Sequence, residues 1–134
     1  MRRLLAPACL IALALGASAC GTTTSTAGFK GTAHEVAQTI SDLQSDVTSG
    51  ERKKICERDF AAPAVEKLGG VQACETAVKN RLAEIDNTEL QVESVKVSGN
   101  TATAQVKSVY GGKKRIRTVT LAKEGSRWKI TAIS

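Results

Sequence analysis

Aromatic and histidine side chains are scarce in this chain. Phe29, Phe60, Tyr110 and Trp128 are the whole aromatic complement of 134 residues, and His34 is the single histidine. So few rings offer no platform for stacked bases, which argues against single-stranded nucleic acid as a partner. No Ser/His/Asp set is evident around that one histidine, and with so few cysteines no tetrahedral zinc site is expected. There is no glycine-rich phosphate loop; Gly111-Gly112 ahead of Lys113-Lys114 reads as a turn. The longest apolar run, Leu4 to Ala19, has 16 residues and contains Pro7. A spanning helix needs about 20.

That run has a different use. Arg2 and Arg3 form a positive start, Leu4 to Leu15 an apolar stretch, and Ala17-Ser18-Ala19 a small-residue site, the layout of an export signal. With Cys20 next, the site resembles the lipobox of bacterial lipoproteins, whose cysteine is acylated and becomes the mature N-terminus. The resemblance implies a signal peptide over 1–19, a lipidated Cys20, and a protein held on the outer face of the cell membrane. Two or more acyl chains make such anchoring stable. Ordinary cleavage with Cys20 left free is the alternative. Gly21 to Gly28 holds only Gly, Thr, Ser and Ala, a composition that predicts a flexible tether. The expected organisation is therefore a signal peptide (1–19), a lipid anchor and tether (20–31) and one domain (32–134).

Of four cysteines, Cys9 leaves with the signal and Cys20 is the anchor. Cys56 and Cys74 remain, an even pair in an exported domain, and predict a disulfide rather than two buried thiols. Charge is uneven. Residues 29–89 hold 8 Lys/Arg against 11 Asp/Glu, whereas residues 90–134 hold 9 Lys/Arg against only Glu93 and Glu124. A basic half on an envelope protein points to anionic lipid heads, polymers or acidic ligands; it also fits a solvated sheet face.

The acidic half is helical in pattern. Thr32 and Glu35 have capping-box spacing, and Val36, Ile40, Leu43 and Val47 follow at helical intervals up to Ser49-Gly50. Ile55, Cys56 and Phe60 mark a second short helix, with a further piece from Pro63 to Leu68. Val71, Cys74, Val78, Leu82 and Ile85 form one face of a third, stopped by Asp86-Asn87. From Leu90 onward the period is two. Leu90 and Val92 alternate, the phase shifts near Glu93-Ser94 as at a bulge, and Val95 and Val97 resume it. Turns at Ser98-Gly99-Asn100, Gly111-Gly112 and Glu124-Gly125-Ser126 separate four strands. The expectation is an α+β fold, three N-terminal helices packed on a four-stranded antiparallel sheet.

This order, with the turn at SGNTA and the closing hairpin TVTLAKEGSRWKI, resembles the nuclear transport factor two-like (cystatin-like) superfamily, in particular small exported actinobacterial lipoproteins carrying that domain. The resemblance implies a curved sheet wrapped on the helices as a cone with a pocket inside, and sheet-mediated homodimers as one mode of assembly. Enzymes of the superfamily use an Asp or an Asp/His pair inside the cone. Here the strands hold no Asp and no His, and His34 falls at the start of the first helix. Glu93 is the one strand acid worth weighing as a catalyst. No catalytic residue, metal ligand or cofactor is expected, and the chain reads as a non-catalytic binding or interaction module. An accessory subunit of an envelope complex is the alternative. The candidate ligand site is on the third strand, where Arg115 and Arg117 share a face with Val119 and Leu121. Lys113 would join them at the mouth of the cone, and Trp128 would wall it or pad the sheet. Planar guanidinium forks suit a carboxylate or phosphate, so an anionic or amphipathic ligand is expected there.

Overall fold

The structure, a computed structural model, describes residues 25–84 and 89–134. The signal peptide, Cys20 and the predicted helix stop at Asp86-Asn87 lie outside the described residues. Helix α1, Thr32–Ser49, carries the expected apolar stripe, with Val36, Ala37, Ile40 and Leu43 buried. Burying a Val, Leu or Ile contributes about 1.5–3 kcal/mol each, so this stripe is what docks the helix. The capping box does not form. Gly31 precedes the helix without a side-chain cap, and Glu35 accepts a hydrogen bond from Trp128 Nε1 at 3.3 Å instead. Gly50 ends the helix at φ 70°, a left-handed conformation that glycine adopts without strain.

Next comes a short, irregular helical stretch. Helix α2, Arg52–Lys54, passes into a π-helical turn, Ile55–Asp59, where Phe60 N–H donates to Ile55 O at 3.0 Å. Phe60 and Ala61 then run extended beside the sheet: Phe60 pairs in parallel with Ile130, and Ala61 N–H donates to Ile130 O at 2.8 Å. Helix α3, Ala62–Lys67, has Pro63 in its first turn, where the missing N–H costs nothing. Helix α4 is Val71–Glu84. The expected bridge is present: Cys56 in the π turn and Cys74 in α4 are joined, with Cα atoms 6.0 Å apart. Cys56, Val65 and Cys74 form a small second core with Phe60 and Val78. Val71, expected on the inner face of α4, is 39% exposed, because α4 packs on the π turn, α2 and α3. A disulfide of this kind fits an extracytoplasmic location.

Strands β1 (Glu89–Ser98), β2 (Thr101–Tyr110), β3 (Lys113–Glu124) and β4 (Arg127–Ile133) form one antiparallel sheet in sequence order. The predicted bulge falls where the phase shift put it. The β1–β2 register shifts between Val92 and Ser94, leaving Glu93 unpaired and exposed. A second shift lies between Thr120 and Leu121 opposite β4. Bulges bend and twist a sheet, and α1 lies in the resulting concavity. Its residues meet Val92, Ala102, Ala104, Val106, Val119, Leu121, Trp128 and Ile130 in one core. The helix crosses the sheet diagonally. Midway along it Thr39 Oγ1 donates to Trp128 O at 3.3 Å, and in its C-terminal half Gln44 Oε1 accepts from Leu90 N–H at 2.8 Å. Phe29 also packs against this core, so the fold reaches back into the stretch expected to be tether. Among the described residues no helix is long and apolar enough to cross a membrane.

Candidate functional site

Strand β3 runs past the cover that α1 provides. Val119 and Leu121 are buried. The β2–β3 register has no shift, so Arg117 faces Val106, Arg115 faces Ser108 and Lys113 faces Tyr110 along the same side of the sheet. Same-face neighbours on a strand stand about 7 Å apart. The three cations therefore form a line along the uncovered, concave end, and all three are exposed. Ile116 points the other way, opposite Lys107, and is 55% exposed. Lys114 shares that second side, opposite Val109. The hairpin of residues 101–117 contains five Lys/Arg and no acid. Among the described residues no carboxylate is paired with any of the five. An Arg side chain so placed offers its donor fork to a carboxylate or phosphate from solvent.

Trp128 does not join that line. It pairs with Lys123 at the opposite end of β3 from Lys113, six residues beyond Arg117, a span of about 20 Å. Only 4% of its surface is exposed. Its indole N–H is held by Glu35, and Lys123 Nζ lies 5.9 Å from the ring centre. Trp128 therefore pads α1 against the sheet. Glu93, the strand acid considered as a catalyst, is an exposed bulge residue. His34 sits at the start of α1, its Nδ1 3.3 Å from Thr26 O. Core side chains of α1 and the sheet meet in the concavity under α1. Among the described residues, open clefts of about 260 Å³ lie between α3 and β4 beside Phe60 and Ile133, and between α1 and the β3–β4 turn beside Asp42 and Arg127.

A buried polar group was not foreseen from the sequence. Arg58, in the π turn, bonds Asp46 of α1 through its terminal nitrogen and Asp59 through Nε at 3.2 Å. Both carboxylates are buried, Asp59 with 2% of its surface exposed, and Asp59 Oδ2 has no hydrogen-bond partner. Burial and the neighbouring negative charge of Asp46 push Asp59 up to about 7, while Arg58 pulls it back down. A shifted carboxyl of this kind can mark an active site. This one is closed to solvent and borders neither of the two clefts, so it locks the π turn onto α1. The available sequence signal was Asp46, three residues beyond Leu43 on the inward stripe.

Helices followed by a curved four-stranded antiparallel sheet, with the first helix laid across the concave face, make this a nuclear transport factor two-like fold. The comparisons with solved structures agree. An NTF-2 like protein of unknown function from Silicibacter pomeroyi DSS-3 is similar with a TM-score of 0.53 at 16% identity, over 74% of this chain and 89% of its own. A chain named Rd1NTF2_05, carrying five substitutions, is similar with a TM-score of 0.52 at 13% identity, over 75% of this chain and 96% of its own. At such identities the likeness is one of fold. No family model matches the sequence, and none of the curated proteins matches it.

Proposed function

We propose that this protein is a lipid-anchored, non-catalytic binding module of the cell envelope that takes an anionic ligand at the cationic end of its sheet. The observation that carries this reading is the line of Lys113, Arg115 and Arg117, exposed on one face and, among the described residues, with no carboxylate paired to them. The disulfide and the lipobox-like Ala17-Ser18-Ala19-Cys20 support an exported, anchored protein. The shielding from solvent of Asp59, the one carboxyl with a strongly raised pKa among the described residues, supports a role without catalysis.

The test uses inorganic polyphosphate as the probe and the full chain, with Lys113, Arg115 and Arg117 replaced together by Ala. Binding is expected to weaken roughly tenfold or more, and the wild-type affinity to fall steeply with added salt. Unchanged binding in the triple variant overturns the site. The anchor has its own readout: the intact mass of membrane-extracted protein is expected to begin at an acylated Cys20, and an unacylated mass removes it from the reading.

A further inference from the structure

The two ends of the domain differ in what they hold. Phe29 packs on the core, its N–H donates to Thr26 O at 3.1 Å, and His34 approaches the same carbonyl. The chain thus enters the fold at the start of α1. That end is fastened to the β3–β4 end of the sheet, since both Glu35 and Thr39 bond Trp128. The C-terminal half of α1, through Gln44, reaches Leu90 at the start of β1, where the sheet runs on toward the Gly111-Gly112 turn. Ten residues of β3 separate Lys123, opposite Trp128, from Lys113, a distance of about 33 Å. Cys20 to Thr26 is six residues, which reach at most about 20 Å. The entry point of the chain and the cationic tip are therefore opposite ends of the molecule.

We infer that the cationic hairpin engages a polyanion on the aqueous side of the membrane, a polymer carrying phosphodiester or carboxylate groups, and not the lipid headgroups at the protein's own anchor. The inference rests on the anchored, anion-binding reading above and names the partner of that same site. Two features favour a polymer. The attraction of an anionic leaflet decays within a Debye length of about 10 Å, and about 33 Å of strand β3 lie between the end of the sheet where the chain enters and the tip. The hairpin is also cationic on both sides: Lys113, Arg115 and Arg117 on one, Lys107 and Lys114 on the other. A bilayer is flat and meets one side, whereas a pliant chain of charges wraps both.

The experiment places the full lipidated chain on vesicles, with a fluorophore at Ile116→Cys near the tip or at Ser126→Cys near the anchor end, and a quencher in the lipid phase. On neutral phosphatidylcholine vesicles, polyphosphate is expected to bind. Binding should fall roughly tenfold or more when Lys113, Arg115 and Arg117 are replaced by Ala, and further when Lys107 and Lys114 are replaced as well. On vesicles containing phosphatidylglycerol, the label at 126 is expected to be quenched more than the label at 116. Quenching at 116 on those vesicles, with loss of polyphosphate binding, assigns the hairpin to lipid and overturns the inference while leaving an anion site intact. Failure to bind either probe overturns both readings.

Discussion

Two halves of strand β3 share one register and one alternation, yet have opposite chemistry. Val119 and Leu121 lie beneath α1 and are buried; Arg117, Arg115 and Lys113 continue the same face beyond it and are exposed. The pairing with β2 runs across the border unbroken, whereas the pairing with β4 stops there, with Val119 opposite Ile133 and Thr118 bonded to Ser134. The kind of side chain changes too, and it changes where the helical cover ends. An apolar residue beyond that border would leave a sticky patch, whereas arginine lays its stem along the sheet and keeps its charge in water. Geometry alone therefore did not require cations at the tip; any hydrophilic residue would have kept it soluble. Five cations without an acid is a choice that solubility does not explain.

The comparison breaks first on stability. Leu121→Ala, in the covered half, is expected to cost about 2–5 kcal/mol, and Arg117→Ala, four residues away on the same face, no more than about 0.5 kcal/mol. Urea unfolding midpoints at constant slope measure both. Comparable losses would mean that the arginine is part of the core after all.

The next largest effect is a pH dependence from the helical flank. An unfolded chain releases the Asp59 proton at about pH 4, and the fold holds it to about 7. Between those values the folded state binds more protons than the unfolded one. Stability therefore falls as pH rises through that window, by on the order of 2–4 kcal/mol, and levels off above it. Asp59→Asn is expected to flatten the profile; a slope unchanged by that substitution assigns it to another group. Removing the bridge by Cys56→Ser with Cys74→Ser should cost about 3 kcal/mol, given a separation of 18 residues, and leave polyphosphate binding to the folded protein unaltered. Smallest is Trp128→Phe, which keeps a ring against α1 but loses the bond to Glu35. It is expected to cost about 1 kcal/mol with no change at the cationic tip. A loss of anion binding there would tie the two ends of β3 together.

Much of the sheet was legible in the sequence because a period of two and three glycine turns leave little choice of register, and the bulge at Glu93 announced itself as a break in that period. The disulfide followed from arithmetic on the cysteines. Positions set by contact between distant elements were not legible. Thr32 and Glu35 have the spacing of a capping box, but a tryptophan 93 residues away from Glu35 takes the carboxylate. Asp46 and Asp59 become partners only once the π turn folds back on α1, and local periodicity does not foresee that π turn. Trp128 was grouped with the arginines because both belong to the closing hairpins. The length of β3, not its pattern, separates them.

The sheet order also bears on how the molecule assembles. Every strand pairs with its immediate successor, so the four strands can zip together through short loops, the kind of contact that forms quickly. Helix α1 packs on the π turn that follows it and also on strands far along the chain. Its stripe is completed by Trp128 and Ile130 of β4, and a lone helix of its 18 residues is marginal in water. The element encountered first along the described chain thus packs on β1 and reaches across to β4. The covered core is complete only when elements from both ends of the described chain meet, whereas the pairing of the cationic hairpin needs only two adjacent strands.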